Sequence, residues 1–196
     1  MINRAVIILS GGKNTRMNGR TKAFLNINGE RFIDNILKVV SDYEEKIISC
    51  NVLNKYTEFK GVKLIRDQFK EIGPIGGIFS SLKECNYNEA LIVASDMPFL
   101  KKEVLNFLGN YTFKEDALVP IVNGKVQPLC SIYKKRILAT IEEMIVLKDY
   151  KLMNLLYKID VKYIRIEDGE NFMNINNVND YNYLCNNEKS DKLWHL

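Results

Sequence analysis

Four cysteines and one histidine are all this 196-residue chain offers of the side chains that most often bind zinc or form disulfides. Cys50, Cys85, Cys130 and Cys185 lie 35, 45 and 55 residues apart with no C-x-x-C pair, and the histidine is His195, next to the last residue. That spacing argues against a zinc site or a disulfide framework and leaves reduced, mostly buried thiols as the expectation. Without an internal histidine, a cysteine or serine nucleophile would also lack its usual base, which argues against hydrolases of either kind. No apolar run approaches the roughly 20 residues that span a bilayer. Met-Ile-Asn-Arg leads straight into a strand-length apolar run with no signal-peptide pattern, so a cytoplasmic protein without membrane attachment is expected. A large net charge is missing too: 28 basic against 24 acidic residues leave +4, too little to suggest nucleic acid.

What is present is an ordinary globular composition, 46% hydrophobic and 27% charged, enough for one domain with a sizeable core. Its basicity is local. Residues 1–31 hold Arg4, Lys13, Arg16, Arg20, Lys22 and Arg31 against the single acid Glu30, and four of the eleven glycines fall in the same stretch. A glycine-rich cationic segment suits a phosphate-bearing partner; the alternative is a solvated face.

Ala5–Ser10 and Ala90–Ala94 are continuous apolar runs of the kind that form strands buried on both faces. Phe32–Tyr43 carries apolar residues at helical spacing, Lys46–Cys50 and Val62–Arg66 read as strands, and a helix follows Gly73-Pro74 as far as Cys85. Further on come a short helix at Lys101–Leu108 and a strand–turn–strand over Ala117–Val122, Asn123-Gly124 and Lys125–Tyr133. Helices at Lys134–Lys148 and Lys151–Lys158, and a late strand at Val161–Ile166, complete the pattern. Alternation without linker or repeat predicts a single three-layer α/β domain with a mostly parallel sheet, over residues 1–185, and a mobile tail at 186–196. In such sheets ligands bind at the carboxyl ends of the strands, which would gather the 11–22 loop, the neighbourhood of Asp67, and Ser95-Asp96.

Four segments carry chemistry. Leu9-Ser10-Gly11-Gly12-Lys13-Asn14-Thr15-Arg16-Met17 leaves a buried strand through two glycines, so its amides can approach a phosphate closely, with Lys13 and Arg16 to grip oxygens. It is neither a Walker A loop nor G-x-G-x-x-G. Asp96, ending an apolar strand, suits a Mg²⁺ ligand, or equally a turn residue before Pro98. Gly73-Pro74-Ile75-Gly76-Gly77 admits a ligand against backbone or makes a tight helix entry. The amides of Asn174-Ile175-Asn176-Asn177 can read polar ligands or cap a helix.

The order and spacing of these segments resemble a nucleotidyltransferase family that joins a nucleoside monophosphate to a phosphorylated acceptor. Residues 9–17 match its L-[AS]-G-G-x-x-x-R-M opening, with Lys22 in KAFL as its following lysine. More narrowly, Gly73 to Gly77, Asp96-Met97-Pro98 and Phe172-Met173-Asn174-Ile175-Asn176 resemble the molybdenum cofactor guanylyltransferases, over a span from about Arg4 to Leu184. The resemblance implies a Rossmann-like fold, GTP and molybdopterin as substrates, Mg²⁺ as cofactor, and transient contact with proteins that deliver or accept the product. It implies a catalytic set of Arg16, Lys22 and Asp96: Lys13 and Arg16 on the β- and γ-phosphates, Lys22 on the α-phosphate, Asp96 on the metal. Leu9, Ser10, Gly11, Gly12, Asp67 and Gly76 join them in binding GTP, the nucleoside-contacting asparagine of the family aligns with Ser49 or Asn51, and Asn174 and Asn176 face molybdopterin. Two departures stand out: Thr21 where an aspartate often precedes the lysine, and Gln127-Pro128 in place of a His-Pro pair. The rival readings are a molybdopterin cytidylyltransferase, a sugar- or polyol-phosphate nucleotidyltransferase, or a nucleotide binder without catalysis.

Overall fold

A computed structural model describes residues 1–11, 21–167, 172–175 and 177–183 of the chain. Strand β1 (Ile2–Leu9) is followed by one 3-10 turn (Lys22–Phe24), a two-stranded ribbon of β2 (Asn26–Ile27) and β3 (Glu30–Arg31), and helix α1 (Phe32–Val39). Then come β4 (Tyr43–Cys50), a 3-10 turn (Leu53–Tyr56), β5 (Lys63–Arg66), α2 (Pro74–Glu84), β6 (Glu89–Ala94) and α3 (Lys102–Asn110). The last part holds β7 (Ala117–Val122), β8 (Lys125–Val126), β9 (Cys130–Lys134), α4 (Leu138–Val146), α5 (Leu152–Lys158) and β10 (Val161–Ile166).

The strands order as β10-β7-β9-β6-β1-β4-β5, with β8 attached to β7. β5, β4, β1 and β6 pair in parallel, β7 and β10 pair in parallel, and β9 lies antiparallel between β6 and β7. β1 and β6 sit at the centre, as their unbroken apolar runs require. Alternate residues of β1 feed opposite cores: Val6 and Ile8 pack with Ile33 and Ile36 of α1 and Leu105 and Leu108 of α3. Ala5, Ile7 and Leu9 pack with Ile75, Ile78 and Leu82 of α2, Ile141 of α4 and Leu155 of α5. The result is the expected α/β domain of three layers with a mostly parallel sheet. From β1 the chain builds outward through β4 and β5, then returns to the other side of β1 as β6. That reversal opens a crevice at the carboxyl ends of β1 and β6.

Three elements differ from the sequence pattern. The helix expected to reach Tyr43 stops at Val39, and Tyr43 opens β4, wholly buried, its hydroxyl donating to the Leu105 carbonyl at 2.6 Å. The Asn123-Gly124 turn has positive φ at both residues (49° and 74°) and does reverse the chain. However, the returning strand breaks after Val126. Residues 127–129, with Pro128 unable to donate to a ladder, step over so that β9 pairs with β6 as well as β7. Lys134, expected at a helix start, ends β9, and α4 begins only after a 3-10 turn at Lys135–Ile137.

A third apolar cluster joins Leu25, Ile27, Phe32 and Ile175, with Val178 and Tyr181 against it. Tyr181 donates its hydroxyl to the Asn26 carbonyl at 2.7 Å, so residues 172–175 and 177–183 fold back over the ribbon beside the crevice. The domain end expected at 185 and the tail 186–196 lie outside the described residues. Among those described, no helix is long and apolar enough to cross a membrane.

Gly109 of α3 packs directly on the Tyr43 ring at the amino-terminal edge of the sheet. A Cβ there would meet the Tyr43 hydroxyl and lie 2.8 Å from its ring and 2.9 Å from Ile2. Gly109→Ala should therefore cost about 1–3 kcal/mol through overpacking and loss of the Tyr43–Leu105 bond, read as a lowered thermal midpoint. Activity per folded molecule should stay at the parent level, since the crevice is at the other end of the strands.

Candidate active site

β1 ends at Leu9, and backbone bonds hold its neighbours there. The Ser10 amide donates to the Ser49 carbonyl at the end of β4 (2.8 Å), and the Ser95 amide just past β6 donates to the Leu9 carbonyl (3.0 Å). Three strand ends thus present their following residues to one space. Ser10 Oγ shares a 2.6 Å hydrogen bond with the Tyr56 hydroxyl, brought by the 3-10 turn 46 residues away. Burial pushes the Tyr56 phenol up to about 12.

One side of the crevice is built on Asp67, which follows β5. Its Oδ1 accepts from Ser49 Oγ at 2.5 Å, and a Cβ on Gly11 would lie 2.8 Å from its Oδ2. Asp67 is only 9% exposed, and desolvation by burial raises its pKa, opposed by the Ser49 hydrogen bond. Asn51 stands at the mouth, exposed, with Nδ2 3.5 Å from the same Gly11 position. The wholly buried Ser49 has its hydroxyl committed to Asp67. Gly77 faces this cluster: a Cβ there would be 2.7 Å from Ser49 Oγ and 3.5 Å from Asp67 Oδ1. Gly76 instead abuts the Phe69 carbonyl and the Ile72 side chain.

The other side carries the charge pair. Lys22 Nζ donates to Asp96 Oδ2 at 2.9 Å, each side chain 20% exposed. Lys22 opens the Lys22–Phe24 turn, anchored by the wholly buried Ala23, and Asp96 lies in the turn after β6. The Asp96 carbonyl accepts from the Ile175 amide (2.9 Å), which seats the late asparagine motif beside it. Among the described residues Asn174 Oδ1, one position before Ile175, is buried with no hydrogen-bond partner.

The structure therefore brings together Leu9, Ser10, Gly11, Ser49, Asn51 and Asp67 on one side and joins Lys22 to Asp96 on the other, with Asn174 adjacent in the chain to Ile175, whose amide bonds to Asp96. Gly12, Lys13, Arg16 and Asn176 lie outside the described residues. Reading the sequence missed Tyr56, whose partner is remote in the chain, and Gly77, for which only the local Gly-Gly pair gave a signal. It also missed the link from Asp96 to Lys22, two residues 74 positions apart. Among the described residues no three His, Cys, Asp or Glu side chains come together into an all-protein metal cage. A lone carboxylate at a strand end fits a Mg²⁺ ion, which is usually held by one or two carboxylates and the phosphates of a substrate.

A three-layer α/β fold with a crevice at its switch point and a lysine–aspartate pair at the strand ends suits a phosphate-bearing ligand. Residues 6–162 match the MobA-like NTP transferase domain, and the chain belongs to that family. A relative from Clostridium perfringens strain 13, named a probable molybdenum cofactor guanylyltransferase, is 39% identical over 94% of this chain and 97% of its own. A relative of the same name from Carboxydothermus hydrogenoformans is 30% identical over 94% and 96%. Among solved structures, the molybdopterin-guanine dinucleotide biosynthesis protein A of Archaeoglobus fulgidus superposes with a TM-score of 0.77 at 26% identity, covering 92% of this chain and 96% of that one.

The raised pKa of Asp67 has a consequence for stability. A carboxyl group with a higher pKa when folded adds stability below its ordinary value near 3.8 and loses it as pH climbs through the raised value. At neutral pH the buried charge is thus a net cost. Asp67→Asn should unfold at a higher temperature than the parent at pH 7, with the advantage shrinking toward pH 4, in melts recorded across that range.

Proposed function

We propose that the chain transfers GMP from GTP to the terminal phosphate of molybdopterin, releasing pyrophosphate and forming the guanine dinucleotide of the molybdenum cofactor. The observation that carries this reading is the Lys22–Asp96 pair at 2.9 Å, set at the strand ends on the opposite side from Asp67. The names of the relatives and of the Archaeoglobus structure support the same substrates.

In this reaction a phosphate oxygen of molybdopterin attacks the α-phosphorus of GTP while the bond to the β-phosphate oxygen breaks. A phosphate monoester is already largely ionised at neutral pH, its second pKa being about 6. No protein base is needed, which suits a crevice whose described residues include no histidine. The protein's work is positioning and charge neutralisation. Lys22 meets the α-phosphate, and Lys13 and Arg16 hold the β- and γ-phosphates. Asp96 would hold a Mg²⁺ ion, which when bound would supply neutralisation of the charge on the leaving pyrophosphate.

Base choice falls to the other wall. The two oxygens of the Asp67 carboxylate match the adjacent N1–H and N2–H donors of guanine, whereas cytosine offers a donor beside an acceptor. A buried acceptor left unpaired is what rejects the wrong base. With Ser49 occupied in orienting Asp67, Asn51 is the side chain free to reach the nucleoside. Asn174, with a buried open acceptor next in the chain to Ile175, and Asn176 serve the pterin side. GTP supply and reduced thiols make the cytoplasm the compartment this reading implies.

Incubation with Mg²⁺, molybdopterin and each nucleoside triphosphate, followed by pyrophosphate and pterin dinucleotide, tests the assignment. Turnover should be confined to GTP; equal turnover with CTP would overturn the guanylyl assignment and the role of Asp67 with it.

Substitutions at the pair test the mechanism. Lys22→Ala should lower kcat by on the order of 10²–10³, the usual loss on removing one preorganised charge. Asp96→Asn, which keeps the size and removes the charge, should nearly abolish Mg²⁺-dependent transfer. Both break a partly exposed ion pair, so stability should fall by no more than about 1 kcal/mol. Parent-level activity in Asp96→Asn would remove Asp96 from the mechanism.

A further inference from the structure

Arg31 has no place in the chemistry above, yet it is among the most heavily bonded side chains described. It sits at the start of α1, and its guanidinium holds two carboxylates at once. Nε and Nη2 donate to Asp34 at 2.6 and 3.1 Å, three residues ahead, while Nη1 and Nη2 donate to Glu58 at 2.8 and 3.1 Å, 27 residues away. Its guanidinium carbon lies 5.6 Å from the centre of the Phe24 ring and 5.2 Å from that of Phe59. A fork saturated by two carboxylates is a poor grip for phosphate. Its work is mechanical.

What it joins are the two segments that flank the crevice. Phe24 closes the same 3-10 turn that Lys22 opens. Phe59 and Glu58 follow the Leu53–Tyr56 turn, whose Tyr56 bonds to Ser10 and whose ring lies 5.1 Å from Phe24. Lys55 donates to Thr21, the residue before Lys22, at 3.1 Å. Two bidentate ion pairs and two ring faces thus clamp the turn bearing Lys22 against the segment that steadies Ser10.

We propose that Arg31 is a positioning residue for Lys22, holding the Lys22–Phe24 turn through Phe24, Phe59 and Glu58 so that the ammonium stays aimed at the reacting phosphate. The proposal rests on the role given to Lys22 above. Rigid placement matters because a preorganised charge loses much of its effect when its support is loosened. Lysine at position 31 would keep the charge but not the planar fork or the stacking.

The test is a double-mutant cycle with Arg31→Lys and Lys22→Ala, reading kcat, KM for GTP, equilibrium GTP binding and the thermal midpoint on each preparation. Arg31→Lys alone should lower kcat about tenfold, a fraction of the loss from removing Lys22 outright, with KM and GTP affinity within about twofold. In the Lys22→Ala background the same change should move kcat by less than about twofold. Glu58→Gln, at a more exposed carboxylate, should follow the same pattern with a smaller loss and decides the matter if Arg31→Lys does not fold. A lowered melting point with unchanged kcat would make Arg31 merely structural and overturn the proposal. So would losses that multiply in full in the double variant while Lys22→Ala alone shows its expected defect. Parent-level activity in Lys22→Ala would overturn the role of Lys22 itself, and this proposal with it.

Discussion

The burial of β1 on both faces is the constraint from which the rest follows. With Ala5, Val6, Ile7 and Ile8 wholly inaccessible, the strand can exist only between β4 and β6 and between two layers of helices. A central parallel strand leaves polar groups no place except its ends. The Leu9 carbonyl and Ser10 amide are therefore tied to the ends of β6 and β4, and the position of Gly11 is set by bonds that belong to the fold. The crevice is the geometric remainder of that packing.

Within it, charge is handled in two ways. Asp67 is desolvated and supported only by the Ser49 hydroxyl among the causes that move its pKa, so the fold tolerates a buried carboxylate that it does not neutralise. Such a group is a standing cost unless a ligand supplies donors. Asp96 has a cation within reach and stays partly hydrated, so the same chemical group is held there at little cost. A site that recognises one part of its substrate by hydrogen bonding and another by charge has use for both kinds. Around this chemistry lies a shell of side chains that supports both walls. Arg31, Tyr56 and Phe59 knit the Lys22 turn to Ser10 through rings and ion pairs, and residues 172–175 and 177–183 close over the ribbon beside Asp96.

Much of this is written in local pattern. The runs AVIILS and ALIVA announce two central strands because only a doubly covered strand can be apolar at every position. Gly11, Asp67 and Asp96 are recognisable as candidates because each follows a strand, where an α/β sheet binds its ligands. Tyr43 was misread for a reason of the same kind: an aromatic residue three beyond Val40 satisfies helical spacing as well as strand alternation. Only the Leu105 carbonyl and the space beside Gly109 decide between them. The strand after Asn123-Gly124 was misjudged because turn chemistry specifies a reversal, not the partner beyond it.

The sequence by itself determined the layers, the central strands, the end of the sheet where chemistry collects, and the residue types available there. These follow from periodicities of two and 3.6 residues and from short-range turn preferences, which are properties of neighbouring positions. Tertiary structure decided which of those residues meet. Lys22 finds Asp96 across 74 positions, Ser10 finds Tyr56 across 46, and Gly77 rather than Gly76 turns toward Ser49 and Asp67. Such pairings depend on strand order and on the rotation of each helix against the sheet. Those are fixed by the filling of two cores at once, a sum over contacts remote in the chain that no local window contains.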